Sequence, residues 1–263
     1  SDWRLLLVNS THSIADDYSI DLTELRNGQS VDSRILTDLQ EMFDAARSED
    51  IYPIVSDAYR TREEQLVVNT RELDCTTYVE IVTALTMCAK HQETSFAAFC
   101  NHLKHVRYIG GEVAYVKRQH YFTLWVDDNV KEGIVKDIQN NPPFSAVQTI
   151  NVNWMSTHPS SYKMLSAHPQ WKSGIRALEQ SINGKRYRYI PKGEIRNNQL
   201  FRNTIKDGDI LLMITRKKGL DTTHIGIASW HKDGLHLLNA SSIHKKVIDE
   251  LMTLYTYMQK HSS

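Results

Sequence analysis

Three side chains in this 263-residue sequence have the type and setting for nucleophilic catalysis: Cys75, His224 and Asn239. Cys75 follows Asp74 and opens the run Cys75-Thr76-Thr77-Tyr78-Val79-Glu80. Beyond it, Tyr78, Val82 and Leu85, with Val79 and Ile81 beside them, recur at close to the three-and-four spacing of a buried helical stripe. Asp74 is a good N-cap residue, and Thr77 with Glu80 reads as a capping box one turn on. A cysteine in the first turn of a helix meets unpaired backbone N–H groups and the positive end of the dipole. That predicts a lowered pKa and a thiolate nucleophile. A lone cysteine is more often a small buried hydrophobe, so the weight falls on what lies downstream.

Three segments there read as strands bounded by Gly and Asp turns: the run from Asp207-Gly208-Asp209-Ile210, the run Gly219 to Ala228, and the run Leu235 to Ser242. His224 falls near the start of the second and Asn239 near the end of the third. A hairpin loop around His231 and Lys232 sets the two side by side on neighbouring strands. A helix-starting Cys, a strand-borne His and an amide on the next strand form a coherent set. The sulfur attacks a carbonyl, the imidazole moves the proton, and the amide orients the ring.

The rest of the chain must position these groups. With 41% hydrophobic residues it can bury a substantial core in one or two domains. Lys plus Arg and Asp plus Glu are each 31, so formal charge is zero and no basic footprint points to nucleic acid. Cys75, Cys88 and Cys100 suggest no disulfide framework, since Cys88 lies too far along the same expected helix to bridge Cys75. No stretch of about 18 apolar residues suits a membrane span. The chain starts Ser1-Asp2-Trp3 without a signal peptide, so an export sequence is expected to have been removed or not included. Residues 32–47 form an amphipathic helix through Ile35, Leu36, Leu39, Met42, Phe43 and Ala46, between strands at 4–9 and 51–55. In the middle, 106–117 reads as strand or loop and 121–126 alternates. Residues 173–182 form a short helix ended by Asn183-Gly184, and 186–191 is an aromatic edge segment.

Residues 66–263 resemble the bacterial amidase family known as domain of unknown function 1460, a branch of the NlpC-type, papain-like cell-wall hydrolases. Six ordered blocks carry the likeness. They are Leu73 to Glu80, His120-Tyr121-Phe122-Thr123-Leu124-Trp125, Asn153-Trp154-Met155-Ser156, Asp207-Gly208-Asp209-Ile210, Gly219 to Gly226, and Asn239-Ala240-Ser241-Ser242. The resemblance implies an α+β papain-like fold, a nucleophile-bearing helix packed on an antiparallel sheet. It implies an N-acetylmuramoyl-L-alanine amidase acting on muropeptides through Cys75, His224 and Asn239, with no metal or cofactor. Tyr59, His120, Tyr121, Trp154, Thr223 and Ser241 are the implied substrate-binding residues, and Tyr59 (or Tyr52) would stand for the tyrosine such amidases carry upstream of the Asp-Cys helix. The alternatives are a γ-D-glutamyl-diamino-acid endopeptidase of the same fold and, in another class, an inactive wall-binding or scaffold protein. The implied setting is the periplasm or cell envelope, with peptidoglycan fragments as partners.

Residues 1–65 resemble the N-terminal part of VanY-type D-alanyl-D-alanine carboxypeptidases through Trp3-Arg4-Leu5-Leu6-Leu7-Val8-Asn9, Asn27-Gly28-Gln29-Ser30-Val31-Asp32 and the run Ser56 to Gln65. The zinc signature of that family does not follow. His120 and Asp127 have the His-x6-Asp spacing, but their neighbours match the amidase block, so no zinc is expected there. The expected organisation is a truncated carboxypeptidase-like segment, 1–65, ahead of an amidase domain, 66–263.

Overall fold

The computed structural model describes residues 21–25, 30–48, 66–140 and 142–260. It separates into two compact units, residues 1–62 and 63–263. In the first, β1 (Leu22–Glu24) pairs antiparallel with β2 (Ser30–Asp32). The Asp32 carboxylate accepts from the Arg34 backbone N–H and caps a 3-10 turn, Ser33–Ile35, that runs into α1 (Leu36–Ser48). The helix expected at 32–47 is therefore present, but none of its residues is buried. The strands expected at 4–9 and 51–55 lie outside the described residues.

The second unit is α+β. Its helical part holds α2 (Cys75–His91), α3 (Phe96–Arg107), α4 (Phe122–Lys131), α5 (Trp154–Thr157), α6 (Lys163–Ala167) and α7 (Lys172–Ile182). A two-stranded ribbon, β3 (Ala146–Thr149) with β4 (Arg186–Tyr189), lies within this stretch of chain. After α8 (Gln199–Thr204) comes an antiparallel sheet in the order β5 (Ile210–Ile214), β6 (Thr222–Trp230), β7 (Leu235–Ser241), β8 (Lys246–Asp249), closed by α9 (Leu254–Lys260). The three expected strands appear with shifted ends, β6 starting three residues later and running two residues further than expected, and the turn falls at residues 231–234.

Helix α2 shows how the local sequence builds the scaffold. Asp74 caps it: its carboxylate accepts from the Thr77 N–H at 2.7 Å, while the Thr77 hydroxyl receives the Asp74 N–H at 3.0 Å. The capping box is thus Asp74 with Thr77, not Thr77 with Glu80. Glu80 instead turns inward, where two arginines meet it. The buried stripe also differs from the expected one. Tyr78, Val79, Ile81, Ala84 and Cys88 are buried, whereas Leu85 is 52% exposed, because the contact line advances through 81, 84 and 88 and leaves 85 at its edge. Tyr78 and Val79 pack on Ile225, Ile227 and Ala240 of the sheet, and Ile81, Ala84 and Cys88 pack on Phe99 and Leu103 of α3.

Two middle segments refine the sequence reading. The alternating stretch 121–126 is mostly helix α4, with Leu124 and Trp125 buried and Val126 half-buried. The stretch 106–117, expected as strand or loop, takes the loop alternative, with two 3-10 turns after the last residues of α3. Aromatic alternation is ambiguous over so short a run, and tertiary packing decides it. A third cluster, Tyr121, Leu124, Ile150, Val152, Met155, Leu165, Ile175 and Ile182, binds α4 to α7 together.

Candidate active site

His224 Nε2 lies 2.9 Å from Asn239 Oδ1. The sheet explains why. His224 sits opposite Met213 of β5, just before a register shift, and β6 pairs with β7 from Ile227↔Leu238 outward. Between them lies Gly226, where an added Cβ would come within 2.9 Å of the Leu238 carbonyl and 3.1 Å of Asn239 Cβ. Only glycine lets the two strands approach closely enough beside the amide.

Cys75 occupies the first position of α2, half-buried against the cluster formed by Tyr78, Val79 and Ile225. Its thiol pKa is raised, first by burial and then by the Asp74 carboxylate, with the Ile225 N–H and the Thr76 hydroxyl and N–H pulling the other way. The expectation of a lowered pKa is therefore corrected. The residue that caps the helix brings its own negative charge beside the sulfur, and apolar packing disfavours the thiolate further. Tyr257 of α9 lies 6.5 Å from the His224 ring, centroid to centroid, and its phenol pKa is raised by burial and by the charges of Glu250 and Cys75. Cys75, His224 and Tyr257 thus share one neighbourhood.

Several blocks of the sequence act through clamps. Asp221 is buried, and one carboxylate oxygen accepts from the Thr123 N–H at 2.8 Å and hydroxyl at 3.0 Å, while the other accepts from the Thr222 N–H at 2.7 Å. This pins the start of β6, three residues before His224, to the first turn of α4. The Gly219 carbonyl receives the N–H groups of Asn153 and Trp154, and a Cβ at Gly219 would lie 2.6 Å from Asn153 Oδ1.

The other implied site residues fall in different places. Tyr59 and Tyr52 lie outside the described residues. Tyr121 is buried in the helical core, donating to Glu179 at 2.8 Å and accepting from the Met155 N–H at 3.1 Å. His120 donates to the Tyr115 carbonyl at 2.9 Å and packs on the Tyr115 ring, and burial with the nearby Arg118 charge holds its pKa down to about 4. Trp154 is half-buried, stacked on His158 with the Lys217 ammonium over its ring. Thr223 is exposed beside His224, and Ser241 is buried, accepting from the His244 N–H at 3.2 Å. Asp127, paired by spacing with His120, instead meets Lys185 and the Tyr187 hydroxyl.

Among the described residues, two groups of candidate metal ligands lie elsewhere. His231, His236 and Asp249 bring ligand atoms within 4.8 Å of one another, but the imidazoles stack at 4.0 Å. Two imidazoles on one tetrahedral ion would splay their ring centres to about 5 Å. In the group Cys88, Glu93 and His102, His102 is hydrogen-bonded to Glu93 at 2.6 Å, and burial raises the Cys88 pKa, which favours the thiol over the thiolate a metal needs. Sequence reasoning missed Asp221, Gly226, Glu250 and Tyr257. Asp221 and Gly226 stand inside the block that carries His224. Glu250 and Tyr257 carry no motif, and only the fold brings them to the site.

The family model described as AmiA-like, N-acetylmuramoyl-L-alanine amidase-like, matches residues 54–263. The chain belongs to this family. An N-acetylmuramoyl-L-alanine amidase of Bacteroides uniformis is 33% identical in sequence, covering 80% of this chain and 87% of its own, with a TM-score of 0.71. A protein of Bacteroides fragilis described as a putative xylanase is 33% identical over 77% of this chain and 88% of its own, also at 0.71. A Legionella pneumophila protein of the domain of unknown function 1460 family is 25% identical over 71% and 70%, with a TM-score of 0.51. Separately, a D-alanyl-D-alanine carboxypeptidase of Enterococcus faecalis is 47% identical over 64 residues. The chain spans about a quarter (24%) of that relative's length. The recognition of both an amidase and a partial carboxypeptidase likeness therefore holds, with the family match beginning at residue 54 rather than 66. Among the described residues, no helix is long and apolar enough to cross a membrane.

Proposed function

We propose that this chain is a papain-like, NlpC-type cysteine amidase that hydrolyses the bond between N-acetylmuramic acid and L-alanine in muropeptides, acting outside the cytoplasm. The observation that carries the reading is the 2.9 Å contact between His224 and Asn239 next to a capped, helix-starting cysteine packed on Ile225. Membership of the amidase-like family supplies the substrate class. Because the Cys75 pKa is raised, the resting nucleophile is a thiol rather than a thiolate. As Sγ attacks the amide carbon, its proton passes to the free nitrogen of His224, and the carbonyl oxygen becomes an oxyanion facing the Cys75 backbone N–H. His224 then protonates the leaving amine, the C–N bond breaks, and a thioester remains. Water, deprotonated by His224, attacks the thioester and releases the acid and the thiol.

Thr223, exposed beside His224, and Trp154 are the surface candidates for substrate contact. Residues 1–65 are proposed as a carboxypeptidase-like segment without its zinc ligands, ahead of the amidase domain at 66–263.

Digestion of defined muropeptides followed by mass spectrometry tests the reading. Release of the intact peptide stem with a free L-alanine amine is expected. Cys75→Ala and His224→Ala should each lower the rate by about 10⁴-fold or more, while Cys88→Ala should leave it within about twofold. Cleavage beyond D-glutamate would assign the endopeptidase reaction instead. Intact substrate under all conditions would leave a wall-binding role.

A further inference from the structure

Asn239 has a second neighbour. Glu250 follows β8, is only 4% exposed, and accepts from Asn239 Nδ2 on Oε1 at 3.1 Å. Its backbone is pinned from both sides: the N–H donates to the Leu237 carbonyl at 3.0 Å, and the carbonyl accepts from His236 Nδ1 at 2.6 Å. The remaining oxygen, Oε2, lies 3.7 Å from His244 Nε2.

An ionised carboxylate offers no hydrogen, so the Asn239 amide can meet Glu250 only with its NH₂ group. That turns Oδ1, an acceptor, toward His224. The His224 nitrogen facing it, Nε2, must then carry the proton, and Nδ1 is left with the lone pair. The Leu237 carbonyl, 3.4 Å from the same Nδ2, likewise only accepts. Glu250 with the shorter contact and that carbonyl together set the amide's orientation, and through it the tautomer of the imidazole.

We propose that Glu250 is a positioning residue of the active site, the fourth member of the series Cys75, His224, Asn239, Glu250. It fixes the Asn239 amide so that Nδ1 of His224 is free to take the thiol proton, and it places a buried negative charge two hydrogen bonds from the imidazolium formed in each half-reaction. This rests on the reading that Cys75, His224 and Asn239 carry the reaction.

The test compares Glu250→Gln, Asn239→Ala and the double variant in the full chain. Glutamine keeps the shape but can donate as well as accept, so the Asn239 amide keeps only the longer, weaker contact to the Leu237 carbonyl to direct it. The single Gln variant should lose about 10- to 100-fold in kcat with KM within about twofold. In the Asn239→Ala background the same change should add less than about twofold, since the two act in series. Nitrogen-15 NMR of His224 should show the Nε2–H tautomer in the unmodified protein and a mixture in Glu250→Gln. An Nδ1–H tautomer in the unmodified protein overturns the proposal without needing any variant to fold. So does a kcat within about twofold of the parent in Glu250→Gln while Cys75→Ala is inactive. If Cys75→Ala stays active, the underlying reading of the site has failed, which is a different result.

Discussion

Glu80 and Glu250 are both shut off from solvent, at 0% and 4% exposure, yet they are partnered in opposite ways. Glu80 faces two guanidinium groups: Arg107 Nε at 2.7 Å and Arg118 at 3.1 and 3.3 Å. Arg107 extends the network to the Val67 carbonyl at 2.7 Å. Glu250 faces a neutral amide and, farther off, one imidazole. A carboxylate answered by two permanent cations is electrostatically complete, and it ties α2 to α3 and to the segment after it. A carboxylate answered by an amide lacks a permanent counter-charge, and on the proposed reaction it faces one through the amide when His224 becomes an imidazolium. The first arrangement is a structural anchor of helix α2. The second, on the proposed function, directs a charge at the chemistry.

The largest expected effect separates the two by stability. Glu80→Ala strands Arg107 almost completely buried and Arg118 partly so, and should destabilise by about 3–5 kcal/mol. Glu250→Gln removes a charge that has no fixed cation, and should change stability by less than about 1 kcal/mol. Urea unfolding followed by circular dichroism measures both. Equal losses in the two variants would erase the distinction between anchor and site.

Next in size is Asn239→Ala. A neutral amide orients the imidazole but breaks no bond itself, so the rate should fall by roughly 10- to 1000-fold, well short of the loss on removing Cys75 or His224. Two other histidines of this region are partnered elsewhere. His236 is held by Asp233 at 3.0 Å and by the Glu250 carbonyl, and His244 faces Glu250 from beyond the amide. An unchanged kcat in Asn239→Ala would break the series at its middle member.

How much of this was legible beforehand follows the range of the interactions. The start of α2, the strands of β5 to β7 and the turn at 231–234 rest on local signals: an Asp cap, short apolar runs, and Gly and Asp punctuation. Those signals survive in the fold. What could not be read is set by distant partners. The charge of Asp74 beside the sulfur is local in sequence, but the burial that is the larger cause of the raised Cys75 pKa comes in part from packing on the distant sheet residues Ile225, Ile227 and Ala240. Glu80 looked like a capping residue because its arginines are 27 and 38 positions off. The stretch 121–126 alternates in sequence, and it became a helix because Leu124 and Trp125 are buried by tertiary packing. Glu250 lies 11 positions past Asn239 in an unremarkable strand exit, where only the sheet makes it a neighbour.

The smallest effect concerns His120, which sits beside Arg118 and so reports on the Glu80 network from outside. Its folded pKa of about 4 lies below the ordinary value of 6.5, because burial disfavours the imidazolium and the Arg118 charge repels it. Between those two values the unfolded chain binds a proton that the folded one refuses. Stability from this group is therefore complete above about pH 6.5, is lost as pH falls, and is exhausted near pH 4. A shift of this size corresponds to roughly 3–4 kcal/mol in full, and because the side chain keeps some solvent contact, about 2 kcal/mol is expected. His120→Gln keeps a donor for the Tyr115 carbonyl and removes the titration. The variant should lose about 2 kcal/mol less than the parent between pH 7.5 and pH 4.5, measured by urea unfolding at each pH. In Glu80→Ala, where Arg118 has lost its carboxylate, the repulsion on His120 should grow and its pKa should fall further, readable by proton NMR of the ring. If instead the His120 pKa rises there, Arg118 has swung away from the pocket, and the anchoring role given to Glu80 would have to pass to Arg107 alone.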